Sequence, residues 1–276
     1  MENTERCANC NDSLAGEYCN QCGERRRERD RLRLVTFIRT ALEEITDLEN
    51  SKLLRTLRLL VLQPGVLTNE YLRGRRQSFI GPIKIYLVVF AVSFLLYSIY
   101  GPTSVYDVRT FIASDPTGVW KEQVQKLVGI THLTEPVLLD EVNARWRRYL
   151  NLTQAIYPLS IALMLQILYW RTRRYFAEHL ILALHFSSIA LGVNIVMWPV
   201  YALIGLQLDV NYYVSTSILL LLIFAWLLIA SRRVYGASWL VSTIKTLLVE
   251  VAYYLVGMLI TFLTLGWAIF TLVRSH

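Results

Sequence analysis

The chain has 276 residues, of which 54% are hydrophobic and only 18% charged, with a mean hydropathy of +0.39 and a net charge of +7. A soluble domain usually carries about 25% charged residues, so this composition excludes intrinsic disorder and argues against a soluble enzyme. The basic balance admits nucleic acid or anionic lipid as a partner, and its distribution along the chain has to decide between them.

The first element is a cysteine cluster. All four cysteines lie within residues 7–22, as Cys7-x-x-Cys10 and Cys19-x-x-Cys22-Gly23. Two CxxC turns are two knuckles that present four thiolates to one tetrahedral ion, and Zn suits such a set, with bonds of about 2.3 Å. Asn11-Asp12-Ser13 and Gly16 supply a turn between the knuckles, and Gly23 follows the last ligand, where an open backbone conformation is often needed. So short a segment has almost no core, and metal binding would supply its folding energy. Disulfides are disfavoured at a cytosolic end, and a redox CxxC would sit in a larger α/β domain that is absent here. Residues 1–24 are therefore expected to form a cytosolic ribbon holding a structural Zn at Cys7, Cys10, Cys19 and Cys22; four cysteines close the coordination sphere, which argues against catalysis at the metal.

Residues 25–81 read as a basic, amphipathic helical stalk. Arg25, Arg26, Arg27, Arg29, Arg31 and Arg33 follow the ribbon. Leu34, Phe37, Ile38, Ala41, Leu42, Ile45 and Leu48 then recur at helical spacing, with Glu43, Glu44, Asp47 and Glu49 on the other face. A second helix is expected over Lys52–Leu62, capped by Ser51, with Leu53, Leu54, Leu57, Leu60 and Val61 on one side and Pro64-Gly65 ending it. A third short piece, Val66–Leu72, closes on Arg73-Gly74-Arg75-Arg76. These helices could pack on the cytoplasmic face of a helical bundle, lie in the membrane interface with arginines at anionic headgroups, or bind nucleic acid. The acidic run Glu43–Glu49 makes nucleic acid the least favoured of the three. Headgroup contact stays open for Arg73, Arg75, Arg76 and Lys84, which border the first long apolar run.

From Ile83 onward, apolar runs alternate with short basic punctuation. At about 1.5 Å per residue, a membrane span takes about 20 apolar residues. Five spans are predicted, at about residues 83–100, 150–170, 179–206, 212–230 and 250–273, so the expected fold is an all-α integral membrane protein with the ribbon and amphipathic cytosolic helices at its N-terminus. The N-terminus has charges and cysteines but no apolar h-region, so the first span is expected to serve as the export signal. The run Trp239–Val273, 35 residues long, exceeds one untilted span, and its first third, with Lys245 and Glu250, is expected at the interface. Arg73, Arg75, Arg76 and Lys84 before the first span, Arg171, Arg173 and Arg174 between the second and third, and Arg232 and Arg233 after the fourth give an inside N-terminus and an outside C-terminus. Arg145, Arg147 and Arg148 run against this pattern, but two inside segments flanking one pair of crossings fix the parity. Residues 101–149 then form an outside loop with helices over Thr117–Val128 and Val137–Tyr149; the second could run on into the second span, with Pro158 as a kink site.

The ribbon Cys7–Gly23, followed by Leu62-Gln63-Pro64-Gly65, Glu70-Tyr71, Gly74-Arg75-Arg76 and Pro82, resembles the bacterial membrane-protein family called domain of unknown function 3667. Arg233-Val234-Tyr235-Gly236 with Lys245 also looks like that family. The resemblance implies a zinc ribbon, an amphipathic region and several spans in the bacterial inner membrane. It brings no established activity.

An ionisable residue within a span is a functional-site candidate. His185 shares a helix face with Glu178, Ser188 and Gly192, and Glu250 begins a stripe with Tyr254, Gly257, Thr261 and Thr264. His185, Glu250 and Tyr254 are thus the candidates for an intramembrane polar site, against the plainer reading that small and polar stripes pack helices together. No HExxH, GxSxG or phosphate-cradling glycine loop is present. The expected role is therefore non-enzymatic: interaction or membrane organisation, with a cytosolic protein partner at the ribbon. A small transporter, scramblase or channel with a polar site between the third and fifth spans is the alternative.

Overall fold

A computed structural model of the chain describes residues 6–13, 16–23, 50–100, 107–153, 156–172, 174–203 and 210–275. The basic run Arg25–Arg33 and the helix expected over Leu34–Leu48 lie outside the described residues. The described helices are α1 (Asn50–Leu62), α2 (Val66–Leu72), α3 (Pro82–Tyr100), α4 (Val108–Ala113), α5 (Val119–Thr131), α6 (Glu135–Thr153), α7 (Tyr157–Leu168), α8 (Phe176–Leu203), α9 (Val210–Tyr235) and α10 (Trp239–Val273). One antiparallel β-bridge joins Arg6 and Ser13. The chain divides into two units, Met1–Ser93 with Pro158–Ala252, and Phe94–Tyr157 with Tyr253–His276.

Three helical stretches are long and apolar enough to cross a membrane: Phe176–Met197, Ser217–Tyr235 and Trp239–Val273. The first two expected spans correspond to shorter apolar helices, Pro82–Leu96 and Tyr157–Leu168. The second differs most from expectation. Helix α6 carries the polar pattern of the preceding loop on through Thr153, and α7 has only 12 residues. Those 12 residues span about 18 Å, against a hydrocarbon core of about 30 Å. Pro158 stands in the first turn of α7, where its missing N–H has no intrahelical partner to lose, so it starts a helix instead of kinking one. Helix α10 is continuous for 35 residues, about 52 Å, with no break at Glu250.

In the first unit, α8 is the central post. Every residue from His179 to Ser188 is buried, as expected of a helix with neighbours on all sides. Helices α1, α2 and α9 pack on it. The buried stripe of α1 is Leu53, Thr56, Leu57 and Leu60, one 3.6-residue face, with Leu53 and Leu57 partly covered. Leu54 and Val61, expected on that face, are exposed, as is Leu62. Ser51, expected as the cap, lies within α1. Thr56 ties the segment to the start of α3: its hydroxyl donates to the Lys52 carbonyl at 2.6 Å and accepts from the Ile80 N–H at 3.1 Å.

The second unit gives residues 107–153 a core of their own. Helices α4, α5 and α6 pack together, and Val108, Val124, Leu138, Leu139, Val142 and Trp146 bury against Leu265, Ala268 and Leu272 of α10. Asp107 caps α4 through the Arg109 N–H at 2.9 Å and accepts from Asn143 Nδ2 at 2.7 Å, while Asn143 Oδ1 accepts from the Val108 N–H at 2.9 Å. Gly118 has no side chain with which to cap α5, and Asp115 serves instead by accepting from the Trp120 N–H at 2.9 Å. The Thr117 hydroxyl and that N–H hold the Asp115 carboxyl below the usual carboxylate range.

Candidate functional site

The four cysteine sulfurs lie within 4.8 Å of one another, with Cys7 and Cys22 at 3.6 Å and Cys10 and Cys19 at 3.5 Å. Four ligand atoms at the corners of a tetrahedron, each about 2.3 Å from its centre, lie about 3.8 Å apart, so this set can hold one metal ion. The two knuckles are built alike. The Asn11 N–H donates to the Cys7 carbonyl and the Gly23 N–H to the Cys19 carbonyl, each at 2.9 Å. Each turn ends on a left-handed residue, Asn11 at φ 65° and Gly23 at φ 71°. Asn and Gly are the residues that adopt that conformation most readily. The sequence pointed to Gly23 for this role; Asn11 fills the matching place in the first knuckle. The backbone N–H of Cys22, aimed at its sulfur, draws the Cys19 thiol down to about 7, whereas burial pushes Cys7 up. Cys7 and Cys19 are themselves the buried core of the ribbon, with Cys22 packed on them.

The ribbon sits on the turn between α2 and α3. The Ser78 hydroxyl donates to Asn9 Oδ1 at 2.8 Å, and a Cβ on Gly74 would come within 3.1 Å of the Ala8 Cβ. Of the arginines considered for headgroup contact, Arg73 and Arg75 both pair with Glu70, at 3.3 and 2.6 Å, and Arg76 lies 5.1 Å over the Tyr71 ring. Lys84 is buried.

The segment beneath the ribbon is in turn fastened to α8 and α9. Gly65 adopts φ +78°, and a Cβ there would stand 2.8 Å from the Ala230 carbonyl oxygen, so the Pro64-Gly65 turn lies directly on the backbone of α9. Trp226 Nε1 donates to the Leu60 carbonyl at 2.9 Å, and Arg233 donates to the Pro64 carbonyl at 2.7 Å. Asn69 Nδ2 donates back to the Arg233 carbonyl at 3.1 Å. Leu67, Thr68 and Tyr71 of α2 are buried, and Thr68 Oγ1 and His185 Nδ1 share a buried hydrogen bond of 2.8 Å.

His185 is thus engaged by α2. Its Nε2 has no hydrogen-bond partner among the described residues, and neither has the buried Glu250 Oε1. Tyr254 is half exposed. The sequence singled out His185 as ionisable but gave no reason to pair it with a neutral hydroxyl 117 positions away. Replacing Thr68 with valine keeps the shape and strands a buried ring nitrogen, which is expected to lower thermal stability in detergent by about 1–3 kcal/mol. Removing both polar partners, as Thr68→Val with His185→Leu, should cost less than the two losses added together. Strict additivity in that cycle would show that the pair is not coupled.

A second polar assembly joins α7, α8, α9 and α10. Tyr169 and Tyr235 stack at 3.7 Å, Lys245 Nζ lies 4.0 Å over the Tyr169 ring, and His179 Nδ1 bonds the Tyr235 hydroxyl at 2.6 Å. Arg174 donates to the Val234 carbonyl at 2.8 Å and pairs with Glu178 at 3.0 Å. Tyr235 and Lys245, noticed together in the sequence, meet here on Tyr169, which carried no signal of its own.

Residues 50–94 match a family model described as "Protein of unknown function (DUF3667)". No curated protein and no solved structure matches the chain. The matched stretch comprises α1, the Pro64-Gly65 turn, α2, the Arg75-Arg76 turn and most of α3, the elements that receive the ribbon and fasten it to α8 and α9. Over residues 50–94, the chain therefore carries the DUF3667 segment.

Proposed function

We propose that the chain is a five-span protein of the bacterial inner membrane whose structural zinc ribbon serves as a cytosolic docking platform, in a non-enzymatic role of interaction or membrane organisation. The observation that carries this reading is the unbroken line of contacts from the ribbon through Asn9–Ser78 to the DUF3667 segment, and from that segment through Gly65–Ala230 and Thr68–His185 to α8 and α9. A ribbon fixed in this way presents one defined surface at the end of the helices. Zinc is the metal favoured by four thiolates at these separations. The gathering of Arg171, Arg174, Arg232, Arg233 and the 50–81 segment around the α7–α8 and α9–α10 turns supports a cytosolic N-terminus and an outside C-terminus. The exposed Leu54, Val61 and Leu62 on α1, beside Arg55 and Arg58, suit a helix lying in the interface.

Affinity capture from native membranes tests the reading, using the intact ribbon and a Cys19→Ser/Cys22→Ser variant inserted at the same level. Partners recovered with the intact chain should be lost from the variant; identical sets would refute the docking role. The buried, unpartnered polar atoms of His185 and Glu250 favour the second reading, a small transporter, scramblase or channel.

A further inference from the structure

The polar assembly around Tyr169 carries two cations, Lys245 and Arg171, on its aromatic rings. Lys245 Nζ lies over the Tyr169 ring, which is stacked on Tyr235, so the ammonium caps a column of two aromatic faces. The Arg171 guanidinium lies 5.4 Å over the ring of Trp170, the residue that follows Tyr169, so both cations are carried by adjacent aromatic residues. Among the described residues, no carboxylate lies within ion-pair distance of either cation, and Glu178, the acid at the start of α8, is engaged by Arg174. Two cations borne on adjacent aromatic residues, with no acid paired to either, suit an anion between them.

The level of this pair identifies the anion. Trp170 and Trp239 are 66% and 55% exposed, and Arg232 lies 4.2 Å over the Trp239 ring. Exposed tryptophans carrying arginines at helix ends mark the boundary where acyl chains give way to headgroups. The anions concentrated at that boundary are lipid phosphates. We propose that Arg171 and Lys245 bind the phosphate of an anionic phospholipid headgroup, with Trp170 at the edge of its acyl chains. The proposal rests on the reading of the chain as a membrane protein, and it concerns residues outside the DUF3667 segment.

The test is native mass spectrometry of the full-length protein in detergent, titrated with phosphatidylglycerol, with phosphatidylcholine, and with inorganic phosphate as competitor. The intact protein should retain phosphatidylglycerol in preference to phosphatidylcholine. Arg171→Gln/Lys245→Gln should weaken that retention about thirtyfold, the contribution of two basic residues at an anionic surface, and Arg171→Lys/Lys245→Arg should keep most of it. If the double glutamine variant is not monodisperse, Arg171→Gln alone, at an exposed site, should show about a fivefold loss. Unchanged retention in the glutamine variants overturns the proposal. Displacement of the lipid by inorganic phosphate at equal concentration assigns the site to free phosphate and overturns it as well. Alkaline extraction of the intact protein from membranes tests the membrane reading separately, because it does not depend on either cation.

Discussion

Replacing Gly65 with alanine is expected to destabilise the first unit by about 2–5 kcal/mol, in two parts. A side chain at φ +78° costs about 1–2 kcal/mol of backbone strain. The added methyl also meets the Ala230 carbonyl oxygen at 2.8 Å and its Cα at 2.9 Å, atoms of a helix backbone that cannot swing aside, and overpacking of this kind costs about 1–3 kcal/mol. The hydrogen bonds on either side, Trp226 to Leu60 and Arg233 to Pro64, depend on the same close approach and should weaken together. Thermal unfolding in detergent measures the total. Gly236→Ala is the control: its φ is +68° with nothing within 4 Å of the added carbon, so it reports the strain alone. Equal losses for the two substitutions would show that α9 yields at Ala230 and that the turn is not tightly seated.

The second large effect concerns the ribbon. Cys19→Ser should take bound metal from one equivalent to near zero and unfold residues 6–23, because the ligands are also the core: Cys7 and Cys19 are the buried side chains there. Structural sites of this kind derive about 10–16 kcal/mol of apparent folding energy from the metal, far more than so small a segment can supply by burial. Metal analysis of the purified protein reads the first consequence and amide hydrogen exchange over residues 6–23 the second. Protection in α8 and α9 should be unaffected, since their contacts with the DUF3667 segment involve no ribbon residue. Retention of metal in the variant would show that the four sulfurs are not the ligand set.

The parts of this molecule that were legible in the sequence are those fixed locally. The CxxC spacing determines the knuckles within five residues each. Pro64-Gly65 ends α1 where expected, because a proline and a left-handed glycine stop a helix whatever surrounds them. What was not legible depends on partners distant in the chain. Nothing near Gly65 reveals that Ala230 lies against it, and nothing near His185 points to Thr68. Hydropathy overran at the second span because an apolar average across residues 150–170 does not register that α6 remains a polar helix to Thr153 while the apolar helix starts at Tyr157. Between residues 107 and 153, α5 and α6 followed from periodicity, but their packing on α10 required knowing that Trp146 donates to the Thr261 carbonyl.

Helices α8 and α10 show how little an average conveys. Their apolar stretches have nearly equal hydropathy, 2.0 and 2.1, yet 53% of one and 22% of the other is buried within the protein. The solvent for one is its neighbouring helices and for the other, in a bilayer, it is lipid. A lipid-facing position asks only for an apolar residue, and leucine, isoleucine, valine and phenylalanine serve it about equally. A position packed on all sides asks for a volume and a shape, and a single methylene is felt. Across related chains, the stretch His179–Ser188 should therefore be fixed residue by residue, while the exposed positions of α10, such as Leu255, Met258 and Leu259, should drift freely within one chemical class.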